Sequence, residues 1–267
     1  MESVFINGCQ VEIRAGETVL ETARRSGFQI PSLCYHEGLG AYGGCRLCLV
    51  EVEEGKNRFL AASCTLPARA GLRILTESQP VQKARAQVIA LLLARCGNLP
   101  VLHDLAERCG VPQDLYPRLV EDECILCGLC VRACEAVGGR ALSFTWRGIK
   151  RKVSPPFEKP SEECLGCRAC AHVCPTGAIK VEEGPVSFTL LRWKTEHTYV
   201  RCRSCGRPFA PLRFTENFGT ILEGGAGVSS GTGAGTAAVA GALAGELCPA
   251  CRRSLRAREL SRTAAKR

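Results

Sequence analysis

The chain opens on a short apolar run, Val4-Phe5-Ile6, which breaks at Asn7-Gly8 and resumes as Val11-Glu12-Ile13. Asn-Gly between two such runs is the strongest short-range hairpin signal, so two paired strands are predicted here. Thr18 and Glu21 have capping-box spacing and open a helix that carries Val19, Leu20 and Ala23 and stops near Gly27. Over 80–93 the apolar positions Val81, Ala84, Val88, Leu91 and Leu92 recur at helical spacing, with Lys83 and Arg85 among the polar residues. A second short helix is predicted over 99–108, ending at Gly110. Residues 141–144 read as a strand and 147–152 as a basic exposed loop. No apolar run reaches the 18 residues that a membrane-spanning helix needs.

These elements predict an α+β fold in several small domains. A hairpin followed by a helix that packs on it begins a β-grasp domain, placed at 1–78, with a helical connector at 79–118. The chain has 267 residues, 28.7 kDa and 19 cysteines, and the cysteines fall in groups. Small domains fixed by metal suit that pattern better than one large apolar core. The N-terminus shows no basic start, apolar core and small-residue cleavage site. So many thiols without an export signal are expected in a reducing cytoplasm, where they bind metal.

The densest group lies in 124–174, which contains CILCGLCVRAC and, after an interval of 29 residues, CLGCRACAHVCP. In each run three cysteines are separated by two residues and a fourth follows after three. That spacing wraps a tight loop round a cubane while the fourth thiolate reaches the other cluster. On this rule Cys124, Cys127, Cys130 and Cys174 hold one 4Fe-4S cluster, and Cys164, Cys167, Cys170 and Cys134 hold a second. Disulfides and zinc compete as readings, but two copies of one pattern, the second ending in Cys174-Pro175-Thr176-Gly177, weigh against both. The segment resembles the bacterial two-cluster ferredoxins, and a domain is placed at 119–185. Glu135 departs from the pattern, standing where the first run would carry proline.

Cys34, Cys45, Cys48 and Cys64 form a further group, a close pair flanked by an outlying cysteine on each side, as used for a 2Fe-2S cluster. Zinc is the alternative, since four cysteines with one wide interval also hold that metal. Glycines 38, 40, 43 and 44 would let backbone approach the sulfur atoms and donate N–H groups. Residues 28–67 resemble the N-terminal 2Fe-2S domain of the large iron-sulfur subunit of respiratory complex I and its relatives in NAD-linked hydrogenases and formate dehydrogenases. His36 reads as a hydrogen-bonding residue, because four thiolates suffice. The family commonly carries a further 4Fe-4S cluster held by one histidine and three cysteines. Here only Cys96, His103 and Cys109 occur, at different spacing and one ligand short, so that cluster is not expected.

After Val186 the composition changes. Cys202 and Cys205, in CRSCGRPF, are matched by Cys248 and Cys251, in CPACRRSL, the two knuckles of a zinc ribbon, placed at 186–267. Between them 223–246 is a Gly-, Ala- and Ser-rich insert. Its length does not defeat the site: each doubling of a loop costs about 0.6 kcal/mol, against roughly 10–16 kcal/mol from structural zinc. Iron of rubredoxin or cluster type, and free thiols, are the other readings. Gly233-x-Gly235-x-x-Ala238 matches a dinucleotide fingerprint by letter only, with no strand before it. Cys9, Cys96 and Cys109 remain and are expected to be buried small apolar residues, with exposure open for Cys9.

Thirty-five Lys and Arg against 26 Asp and Glu give +9. One 2Fe-2S cluster, two 4Fe-4S clusters and one zinc, each with four thiolates, would bring in about −8. The basic residues thus look like compensation for buried metal-site charge, and no nucleic-acid partner is expected, although residues from 186 onward hold 13 Lys or Arg against 5 Asp or Glu. No nucleotide fold, flavin site or catalytic set stands out. The expectation is a non-catalytic electron-transfer subunit of a cytoplasmic hetero-oligomeric oxidoreductase without a transmembrane segment. The resemblance implies as partners an NADH-dehydrogenase-like flavoprotein and a hydrogenase or formate dehydrogenase catalytic subunit. A redox-sensing nucleic-acid-binding protein and a freely diffusing multi-cluster ferredoxin are the alternatives.

Overall fold

A computed structural model describes residues 2–216 and 247–264, so the whole of the predicted insert 223–246, and the Gly233–Ala238 pattern with it, lies outside the described residues. The chain divides into two compact units, residues 1–138, 142–154 and 170–178 in the first, and 139–141, 155–169 and 179–267 in the second.

In the first unit, β1 (Ser3–Ile6) and β2 (Cys9–Glu12) form the predicted hairpin, with Ile6 opposite Cys9. Asn7 and Gly8 both take positive φ, 50° and 83°, as a two-residue turn of matching twist demands. Helix α1 (Val19–Arg25) starts at a complete capping box: the Thr18 side chain accepts from the Glu21 N–H, and the Glu21 carboxylate accepts from the Thr18 N–H at 2.7 Å. Strands β3 (Leu49–Glu54) and β4 (Asn57–Ala62) pair antiparallel, and β5 (Arg73–Leu75) lies between β1 and β3, parallel to β1. The sheet order is β2-β1-β5-β3-β4. Val4, Ile6, Val50, Val52 and Ile74 project from it onto Val19, Leu20 and Ala23 of α1. Each such side chain contributes on the order of 1.5–3 kcal/mol by leaving water.

Helix α2 (Gln79–Cys96) is longer than predicted, and its buried stripe is turned about one residue from the predicted face. Val81, Arg85, Ile89 and Leu93 are inside, whereas Leu91, expected in the core, is 55% exposed. The cause is Arg85, expected among the polar residues. Its guanidinium is drawn inward by backbone oxygens, donating to the carbonyls of Leu47 (3.2 Å), Leu49 (3.1 Å) and Thr76 (3.1 Å) and pairing with Glu77. Helix α3 (Pro100–Arg108) packs on α2 and ends at Cys109-Gly110, as predicted. Helix α4 (Leu129–Ala136) follows the first cysteine run. It continues past Cys134 through Glu135, which a proline would hinder. Strands β6 (Ser143–Thr145) and β7 (Lys152–Ser154) pair across the basic turn. The short helix α5 (Ala169–His172) stops before Cys174-Pro175.

The second unit is built on an antiparallel sheet of β8 (Val181–Glu183), β9 (Ser187–Leu190), β10 (Thr195–Arg201) and β11 (Pro208–Pro211), with sheet order β11-β10-β9-β8. Pairing of β8 with β9 crosses residue 186, where the composition changes. Phe188, Leu190, Trp193, Thr195 and His197 are buried. Helix α6 (Pro249–Ala264) follows the last pair of cysteines. Among the described residues no helix is long and apolar enough to cross a membrane.

Candidate metal centres

Cys34, Cys45, Cys48 and Cys64 are all buried on the loop ahead of β3 and at the end of β4. They sit as two thiol pairs. Cys34 is held down to about 6, chiefly by the Cys45 thiol and then by the N–H groups of Cys45 and Gly44. Cys48 is likewise held down to about 6, chiefly by the Cys64 thiol. Two pairs suit a binuclear centre, one pair for each iron, better than a single ion that needs four converging sulfurs. Backbone N–H groups turn toward the sulfurs: Cys45 N–H lies 3.3 Å from Cys34 Sγ, Leu33 N–H lies 3.4 Å from Cys45 Sγ, and the Gly43 N–H reaches Cys64. Of the four glycines predicted to donate, Gly43 and Gly44 do so, while Gly38 N–H goes to His36 Nδ1 at 3.1 Å. His36 is therefore a hydrogen-bonding residue on the 3-10 turn Glu37–Leu39.

Next along the chain, Cys124, Cys127, Cys130 and Cys174 lie near enough to act on one another electrostatically, with Cys34 also acting on Cys127 and Cys170 on Cys130. Burial pushes Cys127 up to about 11, with the charges of Cys124 and Cys174 adding to it, and burial likewise raises Cys130. Surroundings that disfavour the charged form of Cys127 and Cys130 would be reversed by a bound cation, which is what a cluster would supply to these cysteines. The Leu129 N–H points at Cys127, so the start of α4 supplies a donor. Arg132, two residues beyond Cys130, donates from Nη2 to the Cys34 carbonyl (2.7 Å) and from Nη1 to the carbonyls of Leu39 and Gly40 (both 3.0 Å). Its guanidinium also lies 5.0 Å from the centre of the Tyr42 ring. Ile125, Cys127 and Leu129 share one apolar cluster with Cys34, Cys45 and Leu47. Sequence reasoning missed both Arg132 and Arg85. The available signal was a basic residue set inside a cysteine run, for Arg132, or inside an apolar helix with no acidic residue three or four positions away, for Arg85.

Of the second predicted cubane set, Cys164 and Cys167 belong to the second unit, and Cys170 and Cys134 to the first. Cys164 Sγ lies 3.3 Å from Nε2 of His197, a buried residue on β10. Burial, then the charges of Arg213 and Arg168, keeps this imidazole below its usual range. Arg168, in the same loop, forms a two-point salt bridge with Glu183 of β8, bonds to the Tyr199 hydroxyl of β10, and lies 3.7 Å above the Phe188 ring. Arg213 donates to the Glu162 carbonyl at 2.8 Å. His197 was not singled out from the sequence, although the alternation of β10 puts it on the buried face with Thr195.

Cys202, Cys205, Cys248 and Cys251 converge with all four sulfurs within 4.8 Å of one another, and Cys205 and Cys248 are 3.8 Å apart. A tetrahedral ion with metal–sulfur bonds near 2.3 Å has an edge of about 3.8 Å, so these residues fit a mononuclear metal. Cys248 N–H donates to Cys202 Sγ at 3.3 Å, the main reason the Cys202 thiol falls to about 6, and the Arg207 N–H lowers Cys205. Of the remaining cysteines Cys96 is buried as expected, Cys9 is exposed, as its place beside the turn leaves open, and Cys109 is exposed, contrary to expectation. Cys9 faces solvent just after the hairpin turn, and Cys109 caps α3 where the chain leaves the core.

Two family models match the chain, a 2Fe-2S iron-sulfur cluster binding domain over residues 3–79 and a 4Fe-4S dicluster domain over 118–181. The chain is 33% identical over 227 residues to the NADH-ubiquinone oxidoreductase 75 kDa subunit of Reclinomonas americana, covering 74% of this chain and 32% of that one. It is 32% identical over 220 residues to the mitochondrial NADH dehydrogenase [ubiquinone] iron-sulfur protein 1 of Solanum tuberosum, covering 73% and 29%. The chain thus spans about a third of the length of the curated relatives it matches. A crystal structure of NAD+-reducing NiFe-hydrogenase in the H2-reduced state contains a chain that matches with a TM-score of 0.58 and 30% identity, covering 66% of this chain and 86% of that one. With its 2Fe-2S and dicluster 4Fe-4S domains in that order, the chain belongs to the iron-sulfur subunit family that includes the 75 kDa subunit of NADH-ubiquinone oxidoreductase and a chain of NAD+-reducing hydrogenase.

Proposed function

We propose that the chain is a non-catalytic, cytoplasmic electron-transfer subunit of a hetero-oligomeric oxidoreductase, passing single electrons between a flavoprotein subunit and a catalytic subunit of NADH dehydrogenase, hydrogenase or formate dehydrogenase type. The observation that carries this reading is the packing of one cysteine loop on the next. Arg132 holds the backbone of Cys34 while its own loop contributes Cys127 to the apolar cluster that covers Cys34 and Cys45.

The proposed ligands are Cys34, Cys45, Cys48 and Cys64 for a 2Fe-2S cluster, with Cys124, Cys127, Cys130 and Cys174, and Cys164, Cys167, Cys170 and Cys134, for two 4Fe-4S clusters. Cys202, Cys205, Cys248 and Cys251 are assigned to structural zinc, supported by their sulfur spacing. Clusters in these sites supply one-electron chemistry. The chain's own residues do the rest. Leu47, Ile125 and Leu129 exclude water, N–H groups of Cys45, Gly43 and Gly44 donate to sulfur and favour the reduced state, and Arg132 offsets negative charge beside Cys34. The domains 1–78, 79–118, 119–185 and 186–267 are the corresponding division of labour.

The test is metal analysis of the purified protein after reconstitution, with electron paramagnetic resonance of the reduced form. About ten irons per chain, both cluster types in the spectra and one zinc are expected. Iron near two per chain or below overturns the reading. Affinity purification from the host identifies the subunits that accompany it, and recovery without any flavoprotein or catalytic subunit argues instead for a diffusing carrier.

A further inference from the structure

The residues from 182 onward lie beyond both matched family models. We propose that their sheet is the seat of the loop carrying Cys164, and that His197 sets the reduction potential of the 4Fe-4S cluster ligated there by donating an Nε2–H hydrogen bond to Cys164 Sγ. This inference rests on the proposed function only in taking Cys164 as a cluster ligand.

Three independent contacts fix the loop to the sheet. His197 reaches Cys164 from the buried face of β10, Arg168 is clamped to β8 and β10, and Arg213, just past β11, holds the Glu162 carbonyl. Gly166 closes the arrangement. A methyl group there would lie 2.7 Å from His197 Cγ and 2.9 Å from Nδ1, so the loop has no side chain where the imidazole passes. An imidazole held against a thiolate this way keeps its proton on the nitrogen that faces sulfur. A donor to a ligating sulfur stabilises the more negative, reduced cluster and so raises its potential. His197 acts through Cys164 and is a positioning residue. Cys202 follows directly on β10, so the four-cysteine metal site anchors the strand that presents the imidazole.

The experiment is a redox titration of the full reconstituted chain followed by electron paramagnetic resonance, in wild type, His197→Leu and His197→Gln. Leucine removes the donor and glutamine retains one. In His197→Leu one 4Fe-4S couple is expected to fall so that its reduced-to-oxidised ratio at a fixed potential drops about tenfold, about 59 mV for one electron. His197→Gln restores most of that shift, and the other two couples stay in place. Unchanged potentials in an iron-replete His197→Leu protein, or equal shifts in all three couples, overturn the inference. Should His197→Leu lose iron, histidine labelled with 15N in a His172→Gln protein decides. Coupling of a histidine nitrogen to a reduced 4Fe-4S signal supports the hydrogen bond, and its absence refutes it. Wild type without two 4Fe-4S clusters sinks the proposed function itself, which is a different result from an unmoved potential.

Discussion

The guanidinium of Arg132 donates to the carbonyl oxygen of Cys34 at 2.7 Å, joining residues 98 positions apart in sequence. Replacing Arg132 with methionine keeps much of the side-chain bulk but removes three donors and the positive charge. Hydrogen bonds from charged groups are worth about 1.5–3 kcal/mol each and are not additive, so a loss on the order of 2–4 kcal/mol is expected. The midpoint potential of the 2Fe-2S centre should fall as well. Denaturant unfolding and a redox titration read the two effects separately.

Arg85 is 4% exposed and satisfies three backbone oxygens behind the first metal loop. Arg85→Leu leaves those carbonyls buried and unpaired, at a cost on the order of 3–5 kcal/mol. On mild heating, 2Fe-2S absorbance should bleach before the 4Fe-4S absorbance does. Simultaneous loss of both would mean that Arg85 supports the whole unit and not this loop.

Gly166→Ala is predicted to be more disruptive than an alanine substitution at a typical loop glycine. The backbone there has φ near 70°, and the added carbon meets His197 and, at 3.0 Å, Pro211 Cβ. Overpacking costs about 1–3 kcal/mol before the backbone strain is added. Iron content and thermal stability measure it. Gly138→Ala is the control, because it also has positive φ but an added carbon there meets nothing within 4 Å.

Glu17 gives a pH signature. The Arg25 side chain, with help from the Arg14 N–H and the Thr22 hydroxyl, lowers its carboxyl to about 2 from an ordinary 4.5. A folded value below the unfolded one means stabilisation that is complete above about pH 4.5 and is lost as pH falls toward 2. The gap in melting temperature between wild type and Glu17→Gln should therefore be widest near neutrality and close across that window.

Cys248→Ser should remove zinc from the four-cysteine site while iron stays near ten per chain, because none of these four cysteines belongs to the proposed iron ligands. Atomic absorption of both metals tests this. Iron falling in step with zinc would show that the sulfurs at this site serve a cluster.

Local signals were legible wherever one short segment decides the outcome. Asn7-Gly8 and the Thr18–Glu21 box dictate their turn and cap without tertiary help, and the cysteine spacings point to the two kinds of cluster domain that the family models match. What the sequence could not reveal is set by long-range backbone geometry. The buried face of α2 differs from the one its periodicity predicts because periodicity treats arginine as a surface residue, whereas the carbonyls of Leu47, Leu49 and Thr76 draw Arg85 inside. Arg132 and His197 act across 98 and 33 positions, and neither belongs to a motif. Cys109 shows the reverse limit: residue type alone suggests burial, and its place at the end of α3 leaves it in solvent, whereas the turn beside Cys9 already leaves exposure open there.

The 3.8 Å separation of Cys205 and Cys248 has a practical consequence for the chain between them. A metal bridging those sulfurs makes the intervening segment a closed handle whose two ends are fastened independently of its own covalent continuity. A single protease cut inside 217–246 would then leave α6 attached to the sheet by coordination, two polypeptides travelling as one until a chelator parts them.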